Sequence, residues 1–442
     1  MFIKTRFLLV ALITILLVAC NPIMVDGLEP KPNNPKPASP KLIPNPIVFI
    51  SQFPIQEDFT TITSTFGNHL ATMRSAGRGG DLMIIYPDGS LKNLTKEAGY
   101  GMSGLQTQRA IAVRDPEVHW DGKKVIFSMI IGAPSEQYDY QDYYWQIYEI
   151  SNLAKEQTPV ISKLANQPSN YNNISPIYTS DDKIIFTSDR PRDGQRHLYP
   201  QLDEYEETPT VSGLWRLEPS SGRLELLDHA PSGAFSPIID SFGRVIYTRW
   251  DHLQRDQQAD SDAEKGGKCE YCAFNYSGEG VNSVPTNSNE EVFPEPRESR
   301  KDLLAGTPYT GHFFNHFFPW MMNQDGTNLE TLNHVGRHEL HDYFNKSRND
   351  DPALQEGYAG NFERVNQNSI ENLFEISEDS NKAGRYLAIN APEFGTHGAG
   401  QIVALYAPPN YNADKIKIDY LSNPETSSYS NESLTNTEGL YR

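Results

Sequence analysis

The sequence predicts an all-β protein, a β-propeller with about five blades visible, and two repeated phrases carry that prediction. The first is RDPEVHWDGKKVIFS (Arg114 to Ser128), which returns as ISPIYTSDDKIIFTSDR (Ile174 to Arg190) and GAFSPIIDSFGRVIYTRWD (Gly233 to Asp251). Each copy has a proline, an alternating run, a tight polar turn and a β-branched or aromatic run, the pattern of a hairpin. The second phrase is a hairpin with a small polar turn: LWRLEPSSGRLELL, FFPWMMNQDGTNLETL and, standing alone early on, DLMIIYPDGSLKNLT (Asp81 to Thr95). Asp-Gly and Ser-Gly suit such turns because glycine accepts positive φ without steric cost. Two hairpins per repeat make four strands, so the repeats are propeller blades rather than halves of a sandwich.

Taken in order, the chain begins with Lys4 and Arg6, an apolar run from Phe7 to Val18, and Leu17-Val18-Ala19-Cys20. The run is too short to cross a bilayer as a permanent helix, so residues 1–20 read as a secretory signal. Its ending resembles a bacterial lipobox, which makes Cys20 the lipidated first residue of the mature chain. Asn21, where an aspartate would signal retention in the inner membrane, points to a lipid anchor in the outer membrane with the protein facing the periplasm. Residues 21–46 are rich in Pro, Asn and Lys and form an extended tether of about 3 Å per residue. The propeller domain spans 47–442. Its blades are expected at Ile47 to Thr95, Ala110 to Ala165, Ile174 to Leu227, Gly233 to Leu332 and Asn372 to Leu421, with long insertions at 252–314 and 333–371. Gly439-Leu440-Tyr441-Arg442 resembles the start of a further blade. A six-bladed architecture cut short at the C-terminus is therefore expected, the alternative being a five-bladed ring with improvised closure.

A chain of 442 residues exceeds one ordinary core but suits a radial array in which each blade buries its faces against its neighbours. With 31 Gly, 31 Pro and 11% aromatic residues, the composition is that of a soluble β protein. A formal charge of −19 argues against a nucleic-acid partner, since a phosphate-binding surface needs an excess of lysine and arginine.

Loop lengths identify the face expected to bind. The segments Ile130 to Tyr144, Pro191 to Ser212, His252 to Phe314 and Ala391 to Gly400 join second to third strands, and Lys96 to Arg109 and Asn333 to Glu371 link blades. All lie on one face of the ring, where a protein partner or small ligand is expected, because long loops in a compact domain are usually functional or disordered. Cys269, Cys272, His312, His316, His334, His338, His341 and His397 fall in these segments or beside them. His312 and His316 have i, i+4 spacing, and His334, His338 and His341 share one side if their link is helical, as ligands of one transition metal must. Structural histidines packed against Phe313, Phe314, Phe317 and Trp320 are the competing reading, and His338-Glu339-Leu340-His341 falls one residue short of the HExxH zinc motif. For Cys269 and Cys272 a local disulfide, metal ligation and a redox-active or free pair all stand open in an oxidising compartment. Tyr138, Tyr140, Tyr143 and Tyr144 form a candidate aromatic binding surface, since aromatics give contact area at low entropic cost. A metal-dependent or redox enzyme built on the Cys and His loops is the alternative to a binding propeller.

The phrases PIVFISQFPIQEDFTTITSTFGNHLATMRSAGRGGDLMIIYPDGSLKNLT, RDPEVHWDGKKVIFSM, WMMNQDGTNLETLNHVGRHEL and APEFGTHGAGQIVALY resemble the propeller of proteins related to the alpha subunit of hydrazine synthase. The similarity covers nearly everything after Pro46. It implies the six-bladed propeller of that subunit's middle domain, and more loosely the repeats are similar to TolB-like propellers. The family enzyme depends on c-type haem attached through Cys-x-x-Cys-His. Here the run is Cys269-Glu270-Tyr271-Cys272-Ala273, so no c-type haem and no hydrazine synthesis by this chain alone are expected. The resemblance bears on fold more than on activity.

Overall fold

The computed structural model describes residues 43–51, 78–101, 109–133, 142–190, 213–228, 233–252, 281–282, 315–332, 372–390, 401–411 and 416–422. These form five antiparallel sheets. Blade 1 contains β1 (Ile47–Ile50), β2 (Leu82–Ile85) and β3 (Leu91–Asn93), followed by the single helical turn α1 (Leu94–Glu97). Blade 2 is β4 (Ile111–Val118), β5 (Lys124–Ile131), β6 (Gln146–Ser151) and β7 (Val160–Lys163). Blade 3 is β8 (Asn173–Tyr178), β9 (Ile184–Ser188), β10 (Gly213–Glu218) and β11 (Arg223–Leu226). Blade 4 is β12 (Gly233–Ile239), β13 (Arg244–His252), β14 (Asn315–Asn323) and β15 (Glu330–Thr331), and blade 5 is β16 (Phe374–Glu378), β17 (Arg385–Asn390), β18 (Gln401–Tyr406) and β19 (Ile418–Tyr420). Each sheet pairs its strands in sequence order, as a meander does. The blade limits read from sequence agree with these strands, and the described residues hold five blades of a β-propeller.

Packing explains why the second strands read as unbroken apolar runs. Val125, Phe127 and Met129 of β5 cluster with Leu82 and Ile84 of blade 1. Ile126, on the other face of the same strand, joins Tyr178, Phe186 and Trp215 of blade 3. Both faces of the strand are thus covered by neighbouring blades, whereas a strand with one wet face would alternate apolar with polar. Similar layers join blade 3 to blade 4 through Ile185, Leu214, Val245 and Tyr247, and blade 4 to blade 5 through Ile246, Leu373 and Tyr386.

Polar ties repeat with the blades. Ser128 Oγ donates to the carbonyl of Asn173 (3.2 Å), Thr187 Oγ1 to that of Ala234 (3.0 Å) and Thr248 Oγ1 to that of Leu373 (3.3 Å). In each case a hydroxyl on a second strand satisfies a carbonyl at the start of the next blade's first strand, where an unpaired acceptor would be costly. Tryptophans repeat too: Arg114 stands over Trp145, Arg190 over Trp215 and Arg249 over Trp320, at 5.6, 4.6 and 4.2 Å from the ring centroids. Gly326 is required at its turn, since its φ is +82° and an added Cβ would lie 2.7 Å from the Leu227 carbonyl oxygen of the preceding blade.

Blade 1 differs from the others. Its β2–β3 hairpin turns through Tyr86 to Ser90 as the outer hairpins of other blades do, so β1 holds the second-strand position. The innermost position beside it is empty among the described residues.

Candidate functional site at the propeller axis

The first strand of each of blades 2 to 5 carries a bulge at the same place. The pairing of β4 with β5 steps from Arg114↔Ser128 to Glu117↔Ile126, so Asp115 and Pro116 together oppose Phe127 alone. The same step occurs at Ser175-Pro176, Ser236-Pro237 and Glu375-Ile376. The first residue of each bulge is left-handed, with φ of 52° at Asp115, 50° at Ser175, 48° at Ser236 and 50° at Glu375. A left-handed residue that is not glycine is uncommon, and four in register mark a feature the fold maintains. Proline suits the next position because its missing N–H is unneeded at a bulge.

The four bulges converge on the axis. They line a cavity of about 280 Å³ bounded by Ile50, Asp115, Pro116, Glu117, Ser175, Pro176, Ile177, Ser236, Pro237, Ile238, Glu375 and Ile376. All five blades contribute to it. Its chemistry comes from three carboxyls and two hydroxyls on an apolar wall. Asp115 is committed to the protein: Oδ2 accepts from Arg114 Nε (2.8 Å), from the Ser175 backbone N–H (3.1 Å) and from Ser175 Oγ (2.8 Å). Glu117 and Glu375 have neither a hydrogen bond nor an ion pair among the described residues. Both residues are exposed to solvent, although the strands that line the cavity crowd around them. That enclosure pushes the Glu117 carboxyl up to about 7. Glu375 is also raised to about 7, first by enclosure and then by the nearby Asp115 charge, with Arg114 acting weakly in the opposite direction.

Beyond Glu117 the strand leads to the tight turns of the ring, which are latched blade to blade. His119 Nε2 lies 3.0 Å from Asp182 Oδ1 of blade 3, and its Nδ1 lies 2.9 Å from Asp121 Oδ1. Burial alone would lower the His119 pKa, but these two carboxylates reverse the effect and raise it. Ser180 and Gln324 join blades 3 and 4 by two hydrogen bonds of 2.8 and 2.9 Å. Ser241 donates its N–H and hydroxyl to Glu378 Oε2 at 2.7 and 2.8 Å, joining blades 4 and 5.

None of the residues singled out from the sequence lines this cavity among the described residues. Cys20, Cys269, Cys272, His312, His334, His338, His341, His397, Tyr138 and Tyr140 are outside the described residues. His316 lies on β14, opposite Asp251. Among the described residues no group of three His, Cys, Asp or Glu side chains could hold a metal ion. Tyr143 is half-buried against the cluster of Ala112, Ile130, Trp145 and Ile174, with the Arg78 guanidinium 5.7 Å from its ring. Arg78 is itself buried and donates to the Gly132 carbonyl at 3.0 Å. Tyr144 is also half-buried. The axial carboxyls escaped the sequence reading, although the repeated Asp-Pro, Ser-Pro, Ser-Pro at one place in the first-strand phrase was their signal.

Five blades around an axial cavity define the chain as a β-propeller. No family model and no curated protein matches it. Similar solved structures include Kuenenia stuttgartiensis hydrazine synthase, at 14% identity with a TM-score of 0.40, covering 78% of this chain and 36% of that one. TolB from Acinetobacter baumannii matches at 10% identity and a TM-score of 0.35, over 80% of this chain and 50% of that one. A puromycin hydrolase matches at 8% identity and a TM-score of 0.31, over 78% and 34%. The chain thus spans half or less of the length of each of these proteins.

Proposed function

We propose that this chain is a lipid-anchored binding propeller of the cell envelope, whose axial cavity captures a small ligand through a positively charged group. One observation carries the choice of ligand. Glu117 and Glu375 face the cavity without a protein partner among the described residues, whereas Asp115 is already held by Arg114 and Ser175. A cation gains where unpaired carboxylates line one cavity against surrounding protein. A volume of about 280 Å³ lies at the small end of ligand pockets, which suits a compact amine better than a nucleotide or a haem. Anchoring through Cys20 and a place in the periplasm rest on the lipobox-like Leu17-Val18-Ala19-Cys20 and the tether behind it. Kinship with the propeller of the hydrazine synthase alpha subunit rests on the resemblance of the phrases after Pro46, and the long-loop face is the surface proposed for a protein partner.

Calorimetric titration of the protein with ethylamine and putrescine, with acetate as the anionic control, tests the cavity. Amine binding at pH 8 that weakens at least tenfold in Glu375→Gln is expected. Equal response to acetate, or amine binding indifferent to Glu375→Gln, would remove the cationic ligand.

A further inference from the structure

Tight turns join neighbouring blades, and at one joint the contact is an imidazole. Blades 3 and 4 meet through Ser180 and Gln324, and blades 4 and 5 through Ser241 and Glu378. Blades 2 and 3 meet through His119, set between Asp182 Oδ1 at 3.0 Å from Nε2 and Asp121 Oδ1 at 2.9 Å from Nδ1. Asp182 is not the residue its turn favours. It has φ of 60° at the place where Gly122 and Gly243 serve the same turn in blades 2 and 4 with φ of 69° and 80°. In all three the residue's N–H donates to the carbonyl three residues back. Glycine adopts that conformation freely and aspartate less readily, so the reach of the carboxylate to His119 accounts for the residue better than the turn does. The ring is also held sideways: Tyr178 of β8 stands edge-on to it at 4.7 Å and the exposed Trp120 lies at 5.0 Å. The other charges around it are largely paired. Glu149 of β6 accepts from the Tyr178 hydroxyl at 2.8 Å and from Lys124 of β5 at 2.9 Å, and Lys183 is taken by Asp181 at 2.7 Å. Glu117 and Lys123, exposed on the hairpin that carries His119, complete the set.

We infer that His119, Asp121 and Asp182 form a proton-operated switch at the joint of blades 2 and 3, closed when the imidazole is charged and open when it is neutral. An imidazolium has two N–H donors and satisfies both carboxylates at once, whereas a neutral ring has one. With its proton on Nε2 the neutral ring keeps Asp182 but presents a lone pair to the Asp121 carboxylate, which has to turn away into solvent. The Asp121 backbone N–H, 3.3 Å from Nδ1, then becomes the partner of that nitrogen. With its proton on Nδ1 the ring keeps Asp121 and the bond between the blades is lost. Either way one contact breaks, and the surviving one is no longer charge-assisted. Burial works against the charged ring, but the bonds to Asp182 and Asp121 outweigh it and Lys124 opposes them only weakly, so the pKa lies above the ordinary 6.5. The closed joint is therefore fully present below pH 6.5 and is lost as pH rises through the pKa of the folded protein. Glu117 lies two residues before His119 on the same strand and lines the axial cavity, so opening slackens the cavity wall at blade 2. The switch rests on the geometry of this joint and holds whatever the cavity binds.

Nuclear magnetic resonance of the ring-labelled full chain, its His119 signal assigned by its loss in His119→Gln, tests the switch together with amide exchange. His119 should titrate above pH 6.5 in the parent and about 0.5 pH unit or more lower in Asp182→Asn and in Asp182→Gly. The glycine variant restores the residue found at that turn position in blades 2 and 4, so it removes the carboxylate without disturbing the turn. Protection factors, which already discount the intrinsic effect of pH on exchange, report the joint itself. Those of the His119 and Gly122 amides, both hydrogen-bonded within the turn, should fall about threefold or more between pH 6 and pH 8.5 in the parent, the change that half a pH unit is worth. In Asp182→Gly they should stay level across the same range. A His119 that titrates at or below pH 6.5, or that ignores the loss of Asp182, overturns the inference. Protection in the parent that is indifferent to pH overturns it equally, for the ring would then be a static contact.

Discussion

Asp115 and Ser175 occupy the same left-handed bulge position in adjacent blades, and the carboxylate of the first accepts both the N–H and the hydroxyl of the second, at 3.1 and 2.8 Å. The bulge therefore does more than bend a strand. It turns a backbone N–H of blade 3 toward a charge on blade 2, and Arg114 balances that charge at 2.8 Å. The unfavourable conformation of one residue is offset by hydrogen bonds from the next blade, so the axis is stitched at the point where the cavity opens.

That relationship predicts energetic coupling. Asp115→Ala should destabilise the protein by about 1–3 kcal/mol, because hydrogen bonds to a charged group are lost and Ser175 is left without its acceptor. Ser175→Ala alone should cost about 1 kcal/mol, and the double variant should cost less than the sum of the two, with a coupling of at least about 0.5 kcal/mol. Denaturant unfolding of all four proteins gives the cycle. Additive costs would show that the two residues act separately.

A second network clamps blade 4 to blade 5. Buried Asp240 Oδ2 accepts from Arg244 Nε at 2.7 Å and from the Tyr386 hydroxyl at 2.8 Å, while Arg244 Nη2 donates to the Tyr386 oxygen at 2.8 Å and the Ala407 carbonyl at 2.9 Å. Burial beside Asp240 drives the Tyr386 pKa far above the usual phenol range, so the hydroxyl keeps its proton to donate. Tyr386→Phe should cost about 1–2 kcal/mol. Asp240→Ala should cost about 3–5 kcal/mol, because it strands a half-enclosed guanidinium without its counter-charge. Thermal unfolding that ranks the two variants the other way would contradict this assignment.

Anchoring is tested at one atom. Cys20→Ser removes the sulfur proposed for lipidation at the lipobox-like sequence, and residues 21–46 that follow are rich in Pro, Asn and Lys, a composition poorly suited to holding a bilayer by itself. The variant should move from the membrane fraction to the soluble periplasmic fraction. A processed Cys20→Ser protein that stays with membranes would point to another attachment.

The blades were legible because they rest on local signals. Asp88-Gly89 and Asp325-Gly326 fix two outer turns, and the doubly apolar run Val125-Ile126-Phe127 states that both faces of β5 are covered. The cavity was less legible for a physical reason. Glu117 and Glu375 are far apart in sequence, and each looks like an ordinary polar residue of an alternating strand. Both line one cavity because the blades are arranged about a common centre, which no single repeat records. The shared Asp-Pro and Ser-Pro step was visible, but its left-handed residue was not, since a residue before proline is ordinarily pushed toward extended conformations. The Cys and His candidates were chosen by residue type in long loops, and those loops lie outside the described residues except for His316 on β14.

The raised carboxyls make the last prediction, a dependence of stability on pH. Enclosure raises Glu375 from its ordinary 4.5 to about 7, so the folded protein holds this proton more tightly than the unfolded chain does. Between about pH 4.5 and 7 the unfolded chain has already released the proton while the folded one still binds it. Stability therefore falls as pH rises through that window and levels off above it. Glu375→Gln keeps the shape of the side chain and removes the charge. Relative to the parent it should be neutral near pH 4.5 and more stable at pH 8, by an amount of order 1 kcal/mol once screening by cavity water is allowed for. Glu117, raised to about 7 by enclosure alone, should behave alike in Glu117→Gln. Melting temperatures at pH 4.5, 6 and 8 measure the effect, and a variant that gains nothing at pH 8 would mean that the carboxyl is solvated as freely as one on the surface. Saturating putrescine should stabilise the parent most at pH 8, where the carboxylates are charged, and the Gln variants little at any pH.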